Sequence, residues 1–109
     1  MLSKSCEGTS VLVRGPEMLV DARSGGKAIP AFTSYGLEST RAIVQAASEL
    51  QSPVIIQAGS SSFRGSSREM LAAEVLAAAR ASDAAIGVHL DHSSDISEVR
   101  ALSSATARS

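Results

Sequence analysis

At 109 residues and 44% apolar composition the chain suits one ordinary domain rather than a disordered segment, but with 3% aromatics and much alanine, any core it builds alone is thin. Ten basic against eleven acidic residues give a formal net charge of −1, with no basic stripe and no aromatic platform, so nucleic acid is excluded as an expected partner. A single cysteine, Cys6, excludes an internal disulfide, and no apolar run is long enough for a membrane span, which makes a cytoplasmic location the expectation.

Residues 1–15 read as a loose lead-in. Its only apolar run, Val11-Leu12-Val13, is too short for a secretory segment. Cys6 has no base nearby and reads as an incidental thiol rather than a nucleophile. Pro16 suits the first position of a helix, where its missing N–H costs nothing, and Gly25-Gly26 stops that helix. Ala28 to Thr33 is a short apolar run. Pro30 argues against a central strand there, yet the helical stretch that follows makes a strand the better reading.

Between Glu38 and Leu50 the apolar residues Ala42, Ile43, Ala46, Ala47 and Leu50 fall at helical spacing, and Ser52-Pro53 ends the run. Val54-Ile55-Ile56 is β-branched throughout and reads as a strand buried on both faces. Gly59 to Ser62 is a loop, Ser66 with Glu69 fits a capping box, and the helix beyond runs to about Ser82. Ile86 to Leu90 forms another strand, and Asp95 with Glu98 caps one more helix that fades into a Ser/Ala/Thr tail.

Strands starting near 28, 54 and 86 are one strand–helix unit apart, which implies a parallel sheet with crossover helices. Periodicity leaves two architectures open, the doubly wound sheet and the (β/α)₈ barrel. Both place function at the C-terminal ends of strands, where Thr33, Gly59 and Asp91-His92 fall. No G-x-G-x-x-G follows any strand, which counts against a dinucleotide.

The chemistry concentrates in His89-Leu90-Asp91-His92, which holds both histidines of the chain. A neutral imidazole is a good zinc or cobalt ligand, and a carboxylate beside a metal ligand can move a proton on an oxygen that the metal polarises. One such string arises readily by chance, and one histidine is not a metal site. Its weight comes from its place, at the end of a strand inferred from other residues.

Taken with Ser93-Ser94-Asp95, that tetrapeptide resembles the His-Leu-Asp-His-Gly-x-Asp segment of class II, metal-dependent fructose- and tagatose-bisphosphate aldolases. Further matches keep the family's order and spacing. Ala31-Phe32-Thr33 resembles its Ala-Phe-Asn, Leu37-Glu38 its Asn-Leu-Glu helix start, and Ser52-Pro53-Val54-Ile55-Ile56-Gln57 its Ser-Pro-Val-Ile-x-Gln strand. The similarity runs from about residue 16 to about 102. It implies Asp91 as the acid/base on a substrate oxygen, His92 as one of three histidine ligands to a divalent metal, usually zinc, and His89 as structural. It implies reversible aldol cleavage of a ketose bisphosphate, a sugar phosphate, to dihydroxyacetone phosphate and an aldehyde. Thr33 and Gly59 then lie where substrate binds. Three residues depart from the pattern: Thr33 and Gly36 replace asparagines, and Gly59 stands where the family often has serine.

A (β/α)₈ TIM barrel needs about 250 residues, whereas this sequence carries three such units. The expectation is therefore an N-terminal part of the barrel over residues 16–109, without the family's other two metal histidines, its proton-abstracting glutamate or its Gly-rich phosphate loops. Ala105 to Ser109 lacks the apolar run of a next strand. The isolated chain is expected to be inactive as an aldolase and to self-associate through open sheet edges. The competing reading is a catalytically inactive partial barrel that serves as an interaction module, or a non-functional fragment.

Overall fold

A computed structural model describes residues 11–12, 15–59, 68–97 and 99–100. In chain order the elements are β1 (Val11–Leu12), α1 (Gly15–Ser24), β2 (Ala31–Thr33), α2 (Leu37–Leu50), β3 (Val54–Gly59), α3 (Arg68–Ala81) and β4 (Ala85–Asp91). Helix α1 carries Pro16 in its first turn, as the proline's fixed φ favours. It ends on Gly26 at φ 68°, with Gly26 N–H donating to the Arg23 carbonyl at 3.1 Å and Lys27 N–H to the Ala22 carbonyl at 2.8 Å. This pair of bonds satisfies carbonyls that the last helical turn leaves open. Helix α2 closes in the same way over Gln51, at φ 50°, where Ser52 N–H donates to the Ala47 carbonyl at 3.0 Å.

The four strands form one parallel sheet in the order β1-β4-β3-β2. Strands β2, β3 and β4 therefore lie side by side in chain order. The cluster of Ala47 from α2 and Leu71, Val75 and Ala79 from α3 packs on Val54, Ile56 and Ile86. Both crossover helices thus cover the same face of the sheet. Neighbouring strands in chain order with both crossover helices on one face are the arrangement of a barrel and equally of one half of a doubly wound sheet. Ile56 and Ile86 are fully buried, each worth about 1.5–3 kcal/mol in apolar transfer. Met18 of α1 is also fully buried, outside this cluster, and α1 packs against β4.

Some boundaries differ from the sequence reading, each for a local reason. The stretch expected as a loose lead-in contributes β1, with Val11 paired to Ala85 and Leu12 to Ile86. Two residues carry no periodicity, and only the free edge of β4 makes them a strand. Strand β2 starts after Pro30, whose carbonyl accepts from Ile55 N–H at 2.9 Å but whose nitrogen has no hydrogen to give. Strand β3 runs on to Gly59, so that glycine ends a strand rather than opening a loop. The Ser66 cap lies outside the described residues, as does Glu98. Asp95 does accept from Ser97 N–H, at 2.9 Å through its Oδ1, which is the bond of an N-cap.

The turn between α3 and β4 is tied back to α2. Ser48 Oγ donates to Asp83 Oδ1 at 2.6 Å, and Gln51 Nε2 lies 3.5 Å from Asp83 Oδ2. The Ser48 hydroxyl, helped by Gln51, holds the Asp83 carboxyl below the ordinary carboxylate range. No helix among the described residues is long and apolar enough to cross a membrane.

Candidate functional site

The candidate residues collect at one end of the sheet. Thr33, Gly59 and Asp91 are the last residues of β2, β3 and β4, and His92 is the next residue after Asp91. Parallel register makes this inevitable once the strands start level: Thr33 pairs with Gln57, Gln57 with His89, and Gly59 with Asp91. Side chains alternate along a strand. Ile56 and Val88 join the core beneath α2 and α3, so Thr33, Gln57, His89 and Asp91 belong to the opposite face.

Thr33 and Gln57 are joined, with Gln57 Nε2 donating to Thr33 Oγ1 at 3.3 Å. His89, the next member of the row, is exposed. The loop after Thr33 is fixed by buried hydroxyls. Ser34 and Thr40 are both fully buried, with their oxygens 2.6 Å apart. Ser34 Oγ donates to the Gly36 carbonyl at 3.1 Å, which leaves Thr40 to supply the proton between the two hydroxyls. Ser34 N–H also donates to the Gln57 carbonyl at 2.8 Å, carrying the β2–β3 ladder one rung past Thr33.

Asp91 is partly buried, while the His92 side chain is 89% exposed. Its Nε2 stands 3.7 Å from Asp91 Oδ2, close but beyond hydrogen-bond reach. His92 adopts a left-handed backbone at φ 53°. A histidine held there is uncommon, and such outliers gather at functional sites. An exposed imidazole with a carboxylate beside it is a suitable donor for a divalent metal. A catalytic zinc takes three protein ligands, and among the described residues no group of three or more His, Cys, Asp or Glu could hold a metal. His92 therefore fits as one donor of such a set and not as a site by itself.

Gln57 is the residue the sequence reading passed over. It appeared there only as part of a matching string, yet its side chain bonds Thr33 and its strand position pairs with His89. A polar side chain inside the otherwise apolar Val54–Gly59 run is the signal that marks it.

Comparison with known proteins gives this rim a context. The family model for fructose-bisphosphate aldolase class-II matches residues 13–109. The fold is similar to that of the YdjI aldolase from Escherichia coli K12, with a TM-score of 0.80, 23% identity, and coverage of 86% of this chain and 37% of that one. It is also similar to a Coccidioides immitis protein described as a fructose-1,6-biphosphate aldolase, with a TM-score of 0.74, 30% identity, and coverage of 88% and 36%. The chain spans little more than a third of the length of either protein. Its consecutive strands, with helices on one face, correspond to the N-terminal portion of their TIM barrel. With the family match running from just after β1 through the whole rim, this chain belongs to the class-II fructose-bisphosphate aldolase family.

Proposed function

We propose that this chain supplies the proton-transfer and metal-binding rim of a class II ketose-bisphosphate aldolase in carbohydrate metabolism. The observation that carries the proposal is the pairing of Asp91 and His92 at the C-terminal end of β4, 3.7 Å apart, on the same end of the sheet as Thr33 and Gly59. Asp91 moves the proton on the substrate's hydroxyl or aldehyde oxygen as the carbon–carbon bond breaks or forms. His92 holds one coordination position of a divalent metal, zinc in this reading. That metal, when bound, supplies Lewis acidity. Thr33, steadied by Gln57, offers its hydroxyl to the sugar phosphate, and Gly59 borders the same space. The products are dihydroxyacetone phosphate and an aldehyde, and the setting is cytoplasmic.

The test is Asp91→Asn in a full-length context. The change keeps the shape and removes the transferable proton. Turnover should fall by ~10²–10⁴ while metal content stays nearly intact. Loss of the metal along with activity would instead make Asp91 a ligand or the support of one.

A second reading applies to the chain on its own, and the open sheet favours it. Both outer strands, β1 and β2, are short, at two and three residues. Phe32 on β2 is 51% exposed although its face carries the core. By itself the chain is then an inactive partial barrel that pairs with itself.

A further inference from the structure

Helix α2 packs one face on the sheet through Ala47, with Ile43 and Val44 beside it, and turns the other outward. A groove of about 580 Å³ lies between α2 and α3, lined at its base by Val44, Ala78 and Ala81. Along its α2 wall stand Arg41, Gln45 and Glu49, all exposed and each about one turn from the next. Their charges divide by end. Arg41 is at one end, and among the described residues it enters no ion pair. At the other end Glu49 Oε2 accepts from Gln45 Nε2 at 3.0 Å, and Asp83 is held to α2 by Ser48 Oγ at 2.6 Å. Arg41 and Glu49 are eight residues apart, about 12 Å along the axis, with Gln45 midway. Next to this strip Ala42 and Ala46 are also exposed, and their small side chains let another helix approach closely.

Such a strip is its own complement. When a two-fold axis through Gln45 turns it end for end, Arg41 of one copy meets Glu49 of the other, and the same contact forms twice. A foreign partner would have to supply an acidic and a basic end in that order and at that spacing; a second copy already does. We propose that α2 is the contact surface of a homodimer. Two copies of α2 pack antiparallel across the groove, with Arg41 of each facing Glu49 and Asp83 of the other. Asp91 lies on the opposite face of the sheet, so the contact leaves the rim open and does not rest on the aldolase reading. Its ion pairs are exposed, so the association is weak and sensitive to salt. Pairing along sheet edges, by contrast, runs through backbone hydrogen bonds and is indifferent to these charges.

Sedimentation velocity of the chain tests this. The wild type should dimerise, more weakly as ionic strength rises from about 0.01 M to about 0.1 M and the screening length falls from about 30 Å to about 10 Å. Arg41→Glu should raise the dissociation constant roughly tenfold, because the reversal sets like charges together twice. Glu49→Arg should raise it by less, since Asp83 remains. A mixture of the two variants should associate as a heterodimer about as well as the wild type, because opposite charges face each other again at both ends. Both substitutions in one chain should restore the homodimer for the same reason. Association untouched by either reversal overturns the proposal, as does a loss that mixing does not rescue or a wild-type chain without a salt-sensitive dimer. If a charge variant does not fold, cysteine cross-linking in a Cys6→Ser background decides. Gln45→Cys, on the axis, should join two copies under mild oxidation, and Glu38→Cys, about two turns away, should not. Equal cross-linking of both, or none by Gln45→Cys, overturns the proposal.

Discussion

At the scale of single residues the rim carries strain that the core does not. His92 sits at φ 53°, a region that costs an ordinary residue roughly 1–2 kcal/mol and glycine almost nothing. His92→Ala and His92→Gly both remove the imidazole, but only glycine relaxes the backbone. His92→Gly should therefore be the more stable of the two by about 1 kcal/mol in urea unfolding. Equal stabilities would mean that the turn after β4 has rearranged and that the left-handed conformation is not intrinsic to it. Gln51 has a similar backbone at φ 50° but a visible reason to stay: its Nε2 donates to the Ser48 carbonyl at 2.7 Å and reaches toward Asp83. His92 shows no such structural return among its described contacts, which is why function is the better account of it.

At the scale of elements, the tie between α2 and the α3–β4 turn makes a pH prediction. The Asp83 carboxyl is held below its ordinary range, chiefly by the Ser48 hydroxyl. A depressed folded value means that the ionised form favours the folded state. The contribution is complete above the ordinary carboxylate range and is lost as pH falls through the lowered folded value. Asp83 is exposed, so the effect on overall stability is small. Its direct reading is an NMR titration of the carboxyl, in which Ser48→Ala should return Asp83 toward the ordinary value. A titration unmoved by that substitution would show that another group holds the charge. The elements themselves were largely legible in the sequence. Helical spacing found α2, β-branching found β3, and Pro16 with Gly25-Gly26 bracketed α1. What was not legible depended on distant partners. Val11–Leu12 is a strand only because β4 offers an edge. Gly59 ends a strand rather than starting a loop because Asp91 lies opposite. The choice between barrel and doubly wound sheet needed the likeness to solved aldolase folds, because half of a doubly wound sheet packs its helices in the same way. The rim residues Thr33, Asp91 and His92 were readable because strand ends can be placed from sequence, whereas the Thr33–Gln57 bond required the register.

At the scale of the whole molecule, the described residues form an open parallel sheet, and an open sheet presents backbone donors and acceptors at both sides. Apolar surface is also uncovered, with Leu19, Val20, Phe32, Leu37, Leu50 and Met70 all close to half exposed or more. The isolated chain should elute from gel filtration with light scattering as a concentration-dependent oligomer; a monomer at every concentration would refute this. The short strand β1 gives that association a particular form. It pairs with Ala85 and Ile86, the first two of the seven residues of β4, and among the described residues no strand lies beside the edge from Gly87 onward. An incoming strand meets a resident competitor whose pairing, among the described residues, spans Val11 and Leu12. The expected consequence is kinetic: release of Val11–Leu12 has to precede a longer pairing along β4. Replacing both residues by proline, which removes their N–H donors, should speed oligomer formation while leaving its final extent nearly the same. An unchanged rate would mean that partners join along β2 instead.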